Sequence, residues 1–161
     1  NKIAKKAGVS IGSLYQYFPS KESILIHLVE KELTSHVDNL QTHIAEIDDA
    51  SLEEFLEEIL ATILNMFEQK KKIRYLLYKF LPRGLTPLIH DFENQLHQTI
   101  YEKLKSYPEL KERENLESIA YVLVHSVIGV VHSQLAKDRN FDSEIVNEEL
   151  KNMIKGFLLK T

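Results

Sequence analysis

The side chains best suited to chemistry in this sequence fall in one short run near its start: Ser10, Ile11, Gly12, Ser13, Tyr15, Gln16, Tyr17 and Lys21. Their chemistry is hydrogen bonding and charge pairing, not bond breaking. A glutamine amide donates and accepts at once, which matches the paired groups on adenine's major-groove edge. Tyrosine hydroxyls and a lysine ammonium suit phosphate oxygens, as does the start of the helix that follows Ser20. Ile11 can touch only a thymine methyl or a sugar. Gly12 permits close approach of its backbone to a surface. Leu14 and Phe18, spaced i, i+4, form the packing face of the same helix and leave the polar groups on the other side.

Other chemistries find little support. The chain has seven histidines and no cysteine. Six of the histidines form pairs seven apart: His36/His43, His90/His97 and His125/His132. Seven residues of helix rise roughly 10.5 Å, so the members of a pair share a face without chelating one ion together. Glu93 and His97 could hold one edge of a metal, yet no second ligand pair accompanies them, and no metal is expected. Neither a nucleophile elbow, a phosphate loop nor a dinucleotide fingerprint occurs, so neither an enzyme nor a cofactor is expected.

The elements that must position the reading residues are short helices. Ile3, Ala4 and Ala7 fall on one face of a first helix, and Gly8 supplies the left-handed residue that ends it. Ser10 is a good N-cap for the second helix, Pro19 stops that helix, and Ser20 can cap a third. The third carries a long stripe: Leu25, Leu28, Val29, Leu33, Val37, Leu40, Ile44 and Ile47. Residues 1–21 hold Lys2, Lys5, Lys6 and Lys21 with no acid, a charge of +4 that leaves −8 for the remaining 140 residues of a chain with net charge −4. A basic head on an acidic body fits a nucleic-acid-reading end joined to a part with another task.

That body reads as helical throughout. Leu52 to Phe67 gives an unbroken i, i+3, i+4 series, and a short helix is expected around residues 73–81. Pro82, Gly84 and Pro87 mark a hinge or kink, followed by a helix from about Leu88 to Leu104 and a polar connection to Arg113. From Leu116 to Ala136 apolar residues cover most of the circumference, which requires burial on more than one side. His125 and Ser126 interrupt this stretch, so a soluble chain is expected. Asp142 or Ser143 can cap the last helix. Ile128, Gly129, His132, Met153, Ile154 and Phe157 are the candidate residues of a seam with a second copy of the chain. Aromatic residues and polar-tipped neighbours in the middle helices suit an apolar cavity with a few orienting groups: Phe67, Tyr75, Tyr78, His90, Gln95, Tyr121 and His125.

The run from Ile3 to Glu22 closely resembles the DNA-binding signature of the tetracycline-repressor (TetR) family, with its Ala7-Gly8-Val9-Ser10 elbow, Leu14-Tyr15-Gln16-Tyr17-Phe18 and Ser20-Lys21-Glu22. The family's first helix and the start of its second are missing, so the chain is expected to begin inside the head. Ile11 stands where relatives often carry lysine. The resemblance implies an all-α fold of about eight helices, with a partial helix-turn-helix head and connecting helix over residues 1–47 and an effector-binding, dimerising body over 48–161. It further implies a cytoplasmic homodimer that binds a palindromic DNA operator and is released by a small-molecule effector. The expected effector is apolar or aromatic, with a cation favoured by the acidic body. A regulator that needs its ligand to bind DNA, an activator, and a ligand carrier with a vestigial head are the rival readings.

Overall fold

The computed structural model describes residues 2–47, 50–69, 85–134 and 142–159. Among them lie seven α-helices and one 3₁₀ turn, with no strand. The short helix expected around residues 73–81, with Pro82 and Gly84, lies outside the described residues.

Local signals set the first three helices. Helix α1 (Lys2–Ala7) ends where Gly8 takes φ 69°, and Val9 N then donates to Ala4 O at 3.1 Å. Helix α2 (Ile11–Tyr17) starts on Ser10, whose Oγ accepts from Ser13 N at 2.9 Å. Helix α3 (Lys21–Glu46) opens on a reciprocal cap: Ser23 N donates to Ser20 Oγ at 3.0 Å, and Ser20 N donates to Ser23 Oγ at 3.1 Å. Two donors that would otherwise lack partners are thereby satisfied, which holds the head-to-α3 corner in one geometry.

At 26 residues, α3 is about 39 Å long. Its Val37, Leu40 and Ile44, with Ile47 just beyond, join the same core as the helices that follow. The border expected after residue 47 therefore divides the chain but not the packing. Leu28, expected in the apolar stripe of α3, is exposed, as is Ile3 in α1, where only Ala4 is buried.

Helix α4 (Leu52–Gln69) buries the stripe its periodicity announces: Leu52, Phe55, Leu56, Ile59, Leu60 and Leu64. Each such side chain contributes roughly 1.5–3 kcal/mol on burial. Its start is capped by Ser51 and Glu54, with Ser51 Oγ donating to the Glu54 carboxylate at 2.7 Å. The hydrogen bonds from Ser51 favour the charged form and lower the Glu54 pKa.

Helix α5 (Thr86–Lys105) places Pro87 in its first turn, where the missing N–H costs nothing. Pro87 thus starts a helix and does not kink one. A 3₁₀ turn (Pro108–Leu110) leads to α6 (Leu116–Gln134), and Asp142 caps α7 (Ser143–Leu158). Helices α4 to α7 pack as a bundle, with α5 against both α3 and α6, and α7 against α4 and α6. Lys155 of α7 pairs with Glu53 and Glu57 of α4 across this bundle. Although α6 is long and apolar enough to cross a membrane, its Ile119, Ala120, Leu123, Val124, Val127, Ile128 and Val131 lie in the core.

Candidate nucleic-acid interface and effector cavity

The reading residues stand where the packing leaves them. Leu14 of α2 and Phe18, its C-cap, are half-buried, and the Phe18 ring lies 5.7 Å from that of His27 on α3. On the remaining circumference Ile11, Gly12, Tyr15, Gln16 and Tyr17 are exposed, Tyr17 at 81%. Lys21 is exposed at the start of α3, one turn from α2. Ser10 and Ser13 are engaged with each other, their hydroxyls 2.8 Å apart, so their first role is to cap α2. A Cβ built on Gly12 would meet only Ser10 Oγ, at 3.7 Å. The fold itself therefore has room for a side chain there, and a need for glycine would come from a docked surface.

The body holds an apolar cavity of about 40 Å³ between α4, α5, α6 and α7. Phe55, Ile59 and Ile63 line it from α4, Leu96 and Ile100 from α5, Leu123 and Val127 from α6, and Ile154 from α7. Among the described residues, no polar or charged side chain lines it. On the outside, a groove of about 570 Å³ runs between α3 and α5, lined by Gln41, Ile44, Ile47, Gln95, Thr99 and Lys103 among others.

The stretch that holds the exposed α2 and the stretch that holds the cavity each match a family profile. A family profile described as "Bacterial regulatory proteins, tetR family" matches residues 1–28. A second, described as "Tetracyclin repressor-like, C-terminal domain", matches residues 51–158. The chain belongs to the TetR family. Its fold among the described residues is all-α. Over 46 residues it is 41% identical to the "Fatty acid metabolism regulator protein" of Bacillus subtilis (strain 168), a match covering 29% of this chain and 24% of that protein.

Several residues expected to line an effector pocket in this TetR-family chain lie outside this cavity. His90 and Gln95 are exposed; Gln95 Nε2 donates to Asp91 at 2.8 Å and faces the outer groove. Tyr121 is 53% exposed and packs its ring 4.1 Å from that of half-buried His125. Phe67 lies in α4, but its side chain, like Tyr75 and Tyr78 as a whole, is outside the described residues. The cavity lining is instead aliphatic with one phenylalanine. The signal was present in the clean stripe of α4, which reads equally well as ordinary core. An uncharged lining also gives no purchase to a cation, so the expected preference for one finds no partner in the cavity.

The expected dimer seam needs a similar correction. Ile128 (6% exposed) and Ile154 (2%) belong to the protomer's own core and are not available to a partner. Gly129, Met153 and Phe157 face outward, as do Tyr121, Val122 and Ile145, while His132 is half-buried. Both α6 and α7 thus carry exposed apolar side chains. The remaining histidines are dispersed: His36 pairs with Glu32 at 3.0 Å, His43 with Glu58 at 3.2 Å, and His97 Nε2 lies 3.2 Å from Glu117 O.

Proposed function

We propose that this chain is part of a repressor that binds a palindromic operator as a homodimer in the cytoplasm and is released by a hydrocarbon-chain effector. The observation that carries the reading is the joining of two features by one rigid element. Helix α3 bears the reading helix at one end and packs into the cavity-bearing bundle with the other. Two heads reading successive major grooves must sit about 34–36 Å apart, so a small tilt of α3 in each protomer decides affinity. Gln16 reads a base, Tyr15, Tyr17 and Lys21 hold phosphates, and Gly12 lets the backbone approach.

The partner surface is the outward side of α6 and α7, where Tyr121, Val122, Ile145, Met153 and Phe157 are exposed large apolar side chains of the kind an interface covers. The effector class follows from the cavity. An all-apolar lining pays for no polar group, so the buried part of the ligand is a hydrocarbon. The name of the Bacillus relative supports an acyl chain. At about 40 Å³, the resting cavity has space for little more than one small group. An acyl chain must therefore part the helices, and only the parted state accommodates it. Release is then a shift between two populations, with the effector favouring the one unfit for the operator.

The test is footprinting of the full-length regulator on its own upstream DNA, at two salt concentrations, with and without hexadecanoyl-coenzyme A. A protected palindrome that is lost with salt and with the acyl compound supports the reading. Protection that requires the acyl compound would make it a co-repressor instead.

A further inference from the structure

We infer that Lys103 is the positioning residue that couples the cavity to α3, an inference that rests on the effector-released reading above. Its ammonium donates to the Ile47 carbonyl oxygen at 2.9 Å, across 56 residues of sequence. Ile47 caps the C-terminus of α3, where the unpaired carbonyls give the helix its negative end and attract a cation. The same ammonium lies 5.8 Å from the ring centroid of Phe55 and 5.8 Å from that of Tyr107. Those two rings pack together at 5.6 Å. Phe55, fully buried, also lines the cavity. One charged group thus holds both the end of the lever and a wall of the pocket.

The consequence is mechanical. An ammonium is strongly hydrated, and a part-buried one keeps its place only while a carbonyl and ring faces replace its water. Phe55 is the largest of the described side chains lining the cavity, so a chain entering there must shift it. The ring then moves beneath Lys103, which either releases Ile47 O or carries it along. Either way the support of α3 changes at its C-terminal end. Over a helix of about 39 Å, a tilt of about 5° displaces the far end by about 3 Å. A second tie between α3 and α5, Gln41 Nε2 to Thr99 Oγ1 at 3.2 Å, involves no residue of the cavity lining and serves as the control.

The experiment uses the full-length regulator, its operator fragment and hexadecanoyl-coenzyme A as probe. In the wild type the probe weakens operator binding by a factor in the range of roughly 5–150. Lys103→Met keeps the hydrocarbon stem without the charge. It should bind the probe as the wild type does, yet release the operator by no more than about twofold, the limit of independent effects. Lys103→Arg should restore release, and Gln41→Ala should leave it unchanged. Full release by Lys103→Met overturns the inference. A cycle without probe decides separately: Phe55→Leu, or Tyr107→Leu as a second ring removal, is combined with Lys103→Met. Operator affinities of the double variants that match the larger single effect support the coupling, and factors that multiply overturn it. Failure of the probe to release the wild type would sink the effector reading while the cycle still tests Lys103.

Discussion

Gln41 on α3 and Thr99 on α5 are joined by a side-chain hydrogen bond of 3.2 Å, although 58 residues separate them in sequence. The bond is exposed, and it ties the head-bearing helix to the body beyond their apolar contacts. Substituting Thr99→Val removes the acceptor while keeping the shape. Because water can replace the lost partner, the expected cost is at the low end of hydrogen-bond contributions, about 0.5 kcal/mol. Urea unfolding of the variant measures it; a loss of several kcal/mol would show that the contact is a buried support and not a surface tie.

The head offers a sorting test. Gln16→Ala should relax preference at one base position of the operator, while Lys21→Ala and Tyr15→Phe should weaken all sequences alike. Lys21→Ala should also lower the slope of log affinity against log salt by about one. Binding to a randomised operator pool at several salt concentrations separates the two classes. A uniform loss with Gln16→Ala would mean that it holds the backbone and reads nothing.

The reciprocal cap between Ser20 and Ser23 predicts a local weakness. Ser20→Ala should cost about 1 kcal/mol of stability. Hydrogen exchange should rise first at the amides of α3's opening turn, because Ser20 Oγ accepts from Ser23 N there. An unchanged exchange pattern there would show that packing of Phe18 on His27 alone holds the corner.

On the outward face of α6 and α7, the predicted outcome differs between neighbours in sequence. Met153→Glu and Phe157→Glu should give a folded monomer in sedimentation, because both residues are exposed in the protomer. Ile154→Glu should unfold it, since a carboxylate would enter the core. The wild-type interface should bury about 1,200 Å² or more in total. A wild-type monomer at micromolar concentration would remove the dimer from the proposal.

Tyr107 carries a pH prediction. Its hydroxyl is buried without a hydrogen-bond partner among the described residues, and burial raises its pKa above the usual tyrosine value of 10.0. A folded pKa above the unfolded one means that the folded protein holds the proton more tightly. The stability this contributes is intact below pH 10 and is lost as pH rises through the higher folded value. Tyr107→Phe should abolish that alkaline loss. It should also raise stability at neutral pH by about 1 kcal/mol, because an unpaired hydroxyl no longer has to be desolvated. Thermal unfolding at pH 7 and above pH 10 tests both signs.

Much of this protein was decided by its sequence acting locally. Ser10, Ser20 and Asp142 cap the helices they announce, Gly8 takes the left-handed turn, and the stripe of α4 is buried as its spacing requires. The exposure of Ile11, Gly12, Tyr15, Gln16 and Tyr17 was legible for the same reason, since the Leu14 and Phe18 pair names one face and leaves the other to solvent. Helix α6 behaved otherwise. Being apolar on nearly every side, it carries no pattern that distinguishes in from out. Only the neighbours packed against it put Ile128 inward and turn Tyr121 and Gly129 outward. The meeting of Lys103 with Ile47, Phe55 and Tyr107 belongs wholly to the tertiary structure. Periodicity relates residues three or four apart on one helix, whereas the ends of α3 and α5 come together only when the shared core draws their helices into contact.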